Sequence, residues 1–351
     1  MRTQENIPLA PLTTFKVGGP ARYFIDAHSE HDVSEAVAFA FARKLPLFVL
    51  GGGSNLLVSD SGWPGLVLKV SLAGVEFEGD LQKMLFHAGA GESWDDLVAL
   101  AVSKNCGGVE CLSGIPGTVG GTPIQNVGAY GQEVSQTITR VRALEIATGN
   151  LVDFSNSDCG FSYRSSIFNS TRQGEFIVLE VSYRLCRSAE PKIEYADLKN
   201  FFAKSNIEKP TLQQVRDAVR FIRQSKAMLL IEGDEDCRSA GSFFKNPIVG
   251  PAEADSIQSL AEQRIPGQTM PRYSAADGQV KLAAAWLVEQ SGFSKGYSRG
   301  PVGISRKHTL AIVNRGGATA KDILALKDEI EKKVFDIWGV SLQPEPVFVG
   351  F

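Results

Sequence analysis

Two glycine clusters are the first places where this sequence could do chemistry. Gly51-Gly52-Gly53-Ser54-Asn55-Leu56 follows a short apolar run, and the stretch from Ser113 to Gly131 reads SGIPGTVGGTPIQNVGAYG. Consecutive glycines let several peptide N–H groups converge on one anion with no Cβ in the way, so the first cluster reads as a pyrophosphate cradle. Taken alone it reads equally well as a tight turn. The second cluster has far more glycine than a short connection needs, with an amide pair and hydroxyls interleaved, and can wrap a large polar cofactor. Gly89-Ala90-Gly91 has no third glycine three residues on, and no G-x-x-x-x-G-K-[ST] occurs, which disfavours a Rossmann dehydrogenase and a P-loop enzyme.

The elements that must position these loops follow from local pattern. Val33, Ala36, Val37, Ala40 and Phe41 repeat at helical spacing, so a capped amphipathic helix is expected over Asp32 to Lys44. Pro46 to Leu50 and Leu56 to Val58 flank the first cluster and read as a strand, glycine turn, strand unit. Short strands are expected from Gly65 to Ala90, at Thr139 to Ile146 and at Phe176 to Leu185. Ser93, with Asp96 three positions on, opens a helix to about Ser103. Ala189 to Pro210 changes composition and reads as a hinge region, followed by a helix over Leu212 to Ser225 with Val215, Val219 and Ile222 on one face. A last helix spans Thr319 to Trp338, before an extended tail from Leu342 to Phe351.

Bulk composition narrows the function classes. A chain of 351 residues exceeds what one hydrophobic core usually organises, so two or three domains are expected. With 43% hydrophobic and 21% charged residues and a net charge of -3, it lacks the basic excess that would point to nucleic acid. The amino-terminal residues lack the apolar core of a signal peptide, and no run approaches the roughly 18 apolar residues of a membrane helix, so a cytoplasmic location is expected. Cys106, Cys111, Cys159, Cys186 and Cys237 are odd in number and scattered, with no C-x-x-C pair. They read as small buried apolar residues rather than a disulfide framework or zinc site. His28 and His31 read as solvated surface, and no metal is expected.

Six segments in order carry a resemblance. They are Asn6 with TTFKVGGPA from Thr13, GGGSNLLV from Gly51, SGIPGTVGGTPIQNVGAYG from Ser113, Tyr163-Arg164-Ser165-Ser166, GSFFKNP from Gly241, and PEPVFVG from Pro344. Together they resemble the MurB family of UDP-N-acetylenolpyruvoylglucosamine reductases. The resemblance implies an α+β fold: a two-lobed FAD-binding portion of the vanillyl-alcohol-oxidase (PCMH) type over residues 1–187, with lobes of about 1–72 and 73–187. A hinge over 188–225 and a substrate-binding domain over 226–351 would follow, with the tail 342–351 returning to the active site. Tyr195 points to the type I subgroup. The activity implied is NADPH-dependent, FAD-mediated reduction of UDP-N-acetylglucosamine enolpyruvate to UDP-N-acetylmuramate for peptidoglycan, by a monomer that binds neither nucleic acid nor membrane.

The resemblance also assigns residues. FAD falls to Gly51, Gly52, Gly53, Ser54, Asn55 and Leu56 from the first cluster. The second supplies Ser113, Ile115, Pro116, Gly117, Thr118, Gly120, Gly121, Gln125, Asn126, Gly128, Ala129 and Tyr130. Hydride addition at C3 of the enolpyruvyl ether builds negative charge on C2 and its carboxylate, so the site must stabilise that charge and deliver a proton. By resemblance Arg164 grips the carboxylate, Ser242 protonates C2 and Glu345 is the acidic partner of the enolate. Tyr163, Tyr195, Lys226 and Asn246 bind the sugar nucleotide, with Lys245 assisting and Arg223 a fallback for the phosphate. Ala227-Met228 stands where the family has Leu-Pro, which leaves the role of Lys226 open. Neither glycine segment contains the histidine or cysteine that tethers flavin in related oxidases, so the FAD is expected to be non-covalent. An oxygen-using flavin oxidase and a binding module without turnover are the alternatives.

Overall fold

The computed structural model describes residues 2–191 and 193–351. The chain divides into two compact units. The first comprises residues up to Ile7, Pro20–Gly53 and Trp63–Leu230, and the second Pro8–Gly19, Ser54–Gly62 and Ile231–Phe351.

The first unit holds two sheets around one core. In the smaller sheet the strands run in the order Gln4–Pro8, Pro20–Ala27, Trp63–Val70, Leu47–Leu50, and the last two pairings are parallel. Helix α1, Glu30–Ala42, buries Val33, Ala36, Val37 and Ala40 against it. Ser29 caps this helix, accepting the Asp32 N–H at 3.1 Å, so it begins two residues earlier than the Asp32 start expected. The expected surface histidines are exposed, His28 lying 3.7 Å from Asp26 and His31 3.6 Å from Glu35.

The larger sheet is antiparallel, in the order Leu151–Ser155, Ile138–Glu145, Phe176–Arg187, Lys83–Gly89, Val75–Gly79. Its central strand, Phe176–Arg187, has side chains buried on both faces from Ile177 to Leu179. Near its end the alternation turns Cys186 outward, so that cysteine is exposed while the other four are buried as expected. Helix α2, Trp94–Ser103, begins at the Ser93 cap and anchors itself through Trp94 Nε1, which donates to the Leu112 carbonyl at 3.1 Å.

Residues 188–225, expected to form a hinge, belong to the first unit. Helix α3, Ala196–Lys204, and helix α4, Leu212–Ser225, pack together there: Leu198 and Phe202 meet Val215, Ala218, Val219 and Ile222 around Cys111. Residues 226–230 stay with this unit as well, so the compact units are not contiguous in the chain and do not follow the boundaries that the resemblance implies.

The second unit is built on helices α5, Pro251–Arg264, α6, Ala284–Gln290, and α7, Ala320–Trp338, with two three-stranded sheets. Helix α7 buries Ile323, Leu326, Ile330, Val334 and Trp338, opens on the Thr319–Asp322 capping box and stops at Gly339 with φ 70°. Two segments from the first sixty-odd residues complete this core. Phe15, Val17 and Leu57 are buried in it, and Leu56–Val58 pairs in parallel with the tail strand Val347–Val349. Both strands expected on either side of the glycine turn form, but not with each other: Leu47–Leu50 joins the small sheet, whereas Leu56–Val58 joins the tail.

Candidate functional site

Within the first unit the two glycine clusters meet backbone to backbone. A Cβ at Gly52 would lie 2.6 Å from the Gly117 Cα, and one at Gly51 would lie 2.9 Å from Thr118 Oγ1. At Gly52, where the neighbour is backbone, only glycine permits that approach. The second loop is tied down along its length: the Gly117 carbonyl accepts the Trp94 N–H at 3.1 Å, Val119 N–H reaches the Glu92 carbonyl at 2.9 Å and Gly120 N–H the Ala90 carbonyl at 2.9 Å. Neither Gly51–Asn55 nor Ser113–Gly131 contains a charged residue, so the two segments themselves offer peptide dipoles and no carboxylate of their own. These residues suit the diphosphate of a dinucleotide cofactor.

Gly128–Ala129 and Gln132–Glu133 form a hairpin whose turn residues, Tyr130 and Gly131, have φ of 50° and 88°. Burial pushes the Tyr130 hydroxyl up to about 12, with nearby Arg223 opposing the shift. Asn126 is buried and its amide binds the fold: Nδ2 donates to Glu133 at 2.9 Å and to the Ser162 carbonyl at 3.0 Å, and Oδ1 accepts the Ser135 N–H at 3.1 Å. Its side chain holds the loop to the Tyr163 turn.

That turn carries Arg164. Ser162 and Ser165 bond to each other through both backbone groups, at 2.9 and 3.1 Å, which holds Arg164 at φ 54°. Its Nη2 donates to the Gly128 carbonyl at 2.8 Å and its guanidinium lies 5.4 Å from the centre of the Tyr163 ring. Arg164 thus touches the second glycine loop directly.

Tyr195, exposed at the start of α3, meets the Tyr130 ring edge-on at 5.4 Å. Lys226 ends α4 and donates to Asp197 at 2.5 Å, which brings it beside the Tyr195 segment. Where the family's Leu-Pro pair is absent, Ala227 adopts φ 54° and Met228 N–H returns to the Arg223 carbonyl at 2.8 Å, closing the helix end. Arg223, the fallback for the phosphate, is bonded to the protein's own backbone. Its Nε donates to the Gly114 carbonyl at 3.1 Å and its Nη2 to the Met228 carbonyl at 2.6 Å.

Ser242, Asn246 and Glu345 lie in the second unit. Phe244 sits opposite Pro344, the Glu345 N–H donates to the Phe243 carbonyl at 2.8 Å and the Lys245 N–H to the Gln343 carbonyl at 2.9 Å. This short ladder puts Glu345 opposite Phe243, one residue from Ser242. Both side chains are half-buried. Asn246 Oδ1 accepts the Ala284 N–H at 3.0 Å, capping α6. The Asn55 side chain donates to the Glu345 carbonyl at 3.2 Å, which ties the end of the first glycine segment to the tail. The glycines of TTFKVGGPA pack closely too: a Cβ at Gly19 would lie 2.2 Å from the Asp60 carbonyl.

Sequence reasoning missed one cluster. Arg216, Arg220 and Arg223 share a face of α4, and the first two grip Asp95 of α2. Their spacing of four and three residues was the available signal.

Comparison with known proteins accounts for both units. Residues 21–155 match the FAD-binding domain family, and residues 233–349 match the carboxy-terminal domain of UDP-N-acetylenolpyruvoylglucosamine reductase. The reductase of Thermobifida fusca is 46% identical over 99% of this chain and 98% of its own length, and that of Streptomyces avermitilis 43% identical over 99% and 94%. The crystal structure of the Thermus caldophilus reductase superposes with a TM-score of 0.65 at 27% identity, covering 99% of both chains. With relatives this similar along its entire length, the chain belongs to the UDP-N-acetylenolpyruvoylglucosamine reductase family.

Proposed function

We infer that this chain is an FAD-dependent oxidoreductase that uses NADPH to reduce UDP-N-acetylglucosamine enolpyruvate to UDP-N-acetylmuramate in peptidoglycan precursor synthesis. The observation that carries this reading is the meeting of two uncharged glycine loops, backbone to backbone, in a chain of this family. The first unit is the main FAD-binding portion, contributing Gly51 to Gly53 and Ser113 to Tyr130, and Ser54 to Leu56 complete the non-covalent cradle. The second unit is the substrate-binding domain, and Tyr195 makes the chain a type I member.

Held by these loops, FAD would supply the hydride-transfer chemistry between NADPH and C3 of the enolpyruvyl group. The protein's own groups manage charge and protons. Arg164, with a planar fork that stays charged, grips the substrate carboxylate and stabilises the negative charge that spreads into it from C2. Ser242 donates its hydroxyl proton to C2, and Glu345, close by in the same ladder, is the acidic partner of the enolate. Lys226 binds the diphosphate after exchanging its Asp197 partner for it. Tyr195 covers the nucleotide, while Tyr163 and Asn246 orient the sugar, assisted by Lys245.

No helix among the described residues is long and apolar enough to cross a membrane. The enzyme is proposed to act as a cytoplasmic monomer, without nucleic-acid or membrane partners. The test is the visible spectrum of the purified protein without oxygen, before and after NADPH and then after UDP-N-acetylglucosamine enolpyruvate. Bleaching followed by recolouring with the sugar nucleotide is expected. Recolouring only on admission of oxygen identifies an oxidase, and a colourless protein that takes up no added FAD overturns the reading.

A further inference from the structure

Helix α4 turns Arg216, Arg220 and Arg223 toward one small region of the first unit. Asp95 Oδ1 accepts Arg216 Nη1 at 2.6 Å and Oδ2 accepts Nη2 at 3.0 Å, a two-pronged pair to which Arg220 adds a further bond. The same carboxylate accepts the Gly114 N–H at 2.6 Å. On the other side of that glycine, Arg223 Nε donates to the Gly114 carbonyl at 3.1 Å. Gly114 is therefore gripped through both of its backbone groups, its N–H by an anion and its C=O by a cation. Its φ of 71° belongs to the left-handed region that glycine tolerates.

We infer that Asp95 and Arg223, braced by Arg216 and Arg220, are positioning residues for the cofactor: they fix the Gly114–Gly117 stretch against Gly51 and Gly52 before FAD arrives. A glycine-rich loop loses much backbone freedom on being ordered, and that cost is otherwise subtracted from the binding of whatever orders it. Charge-assisted hydrogen bonds are the strongest local means of removing the cost beforehand. The grip acts on the loop and not on the reacting atoms, so its loss appears in FAD affinity and not in the chemistry of the loaded enzyme. Asp95 and Arg223 also link α2 and α4 through this loop, so a role in helix packing alone is the rival account.

This inference rests on the reading that the glycine loops hold FAD, and the experiment separates the two. Full-length wild type, Asp95→Asn, Arg223→Lys and a control, Val334→Ala, are stripped of FAD, and FAD binding is followed by quenching of flavin fluorescence. Urea unfolding of each apoprotein is measured alongside. Val334 lies in the α7 core of the second unit, so its truncation lowers stability without touching the loop. Asp95→Asn and Arg223→Lys are expected to raise the FAD dissociation constant about tenfold each, the loss attached to one charged hydrogen bond. At saturating FAD, Asp95→Asn is expected to recover the wild-type KM for the sugar nucleotide. Val334→Ala should unfold earlier and bind FAD as the wild type does. An unchanged FAD dissociation constant in Asp95→Asn, or an equal weakening in Val334→Ala, overturns the positioning role. A wild-type protein that binds no FAD removes the reading beneath it.

Discussion

Arg164 and Ser242 are assigned opposite tasks, one to hold charge and the other to release a proton, so their variants should fail differently. Ser242→Ala is expected to leave flavin reduction by NADPH intact while reoxidation by the sugar nucleotide collapses. Equal loss of both half-reactions in rapid-mixing absorbance traces would remove Ser242 as the acid. Arg164→Lys keeps the charge and loses the fork, and should slow reoxidation by on the order of a hundredfold. Asp95 gives a pH signature. Burial, the largest influence, would raise its carboxyl, but the Arg216 guanidinium, the Gly114 N–H and the charge of Arg220 outweigh it and hold the group below the usual carboxylate range. The folded value being the lower one, the stability it contributes is complete above the unfolded value of about 3.9 and is lost as the pH falls through the folded one. The melting temperatures of wild type and Asp95→Asn should differ by a constant amount near neutrality and converge below about pH 4. A gap that persists in acid would show that the carboxylate charge is not what matters.

At the scale of elements, helices with caps and a one-sided apolar stripe were legible in the sequence, and contacts made across the chain were not. Helix α4 occupies the very residues its pattern predicted, and α7 begins at its Thr319 cap. Helix α3 escaped notice because its two buried apolar positions, Leu198 and Phe202, sit in a lysine-rich stretch, and nothing local says that Cys111 waits to receive them. Both glycine loops were visible as loops, but that Gly52 faces Gly117 is a tertiary fact without a sequence period. Two substitutions test these elements. Gly52→Ala places a Cβ 2.6 Å from the Gly117 Cα, so the loops must part, and the purified variant should carry far less flavin than wild type while remaining folded by circular dichroism. Thr319→Ala removes a side chain that accepts the Asp322 N–H at 3.1 Å, and should lower the stability of α7 by about 1 kcal/mol in urea unfolding. FAD content in that second variant should be unaffected.

For the whole molecule, the order of segments in the chain differs from the order in which they form cores. Composition pointed to more than one domain but could not show that Pro8–Gly19 and Ser54–Gly62 leave the first unit for the second, because a three-residue strand such as Leu56–Val58 has no periodicity that names its partner. Removing residues 347–351 deletes that partner. The backbone amides of residues 56–58 should then exchange with deuterium much faster, while those of Phe176–Arg187 keep their protection; unchanged exchange at 56–58 would show that the strand stands without the tail. The pairing also has a bearing on synthesis. Asn55 and Glu345 are 290 residues apart, and at about 5–20 residues per second the ribosome needs roughly 15 to 60 seconds to pass from one to the other. During that interval the first unit has all its segments once Leu230 has emerged, while Leu57 and Val58 wait in a nascent chain with no strand to receive them. A polypeptide released prematurely would therefore keep a complete set of flavin-side segments and leave a hydrophobic edge open to chaperones and proteases.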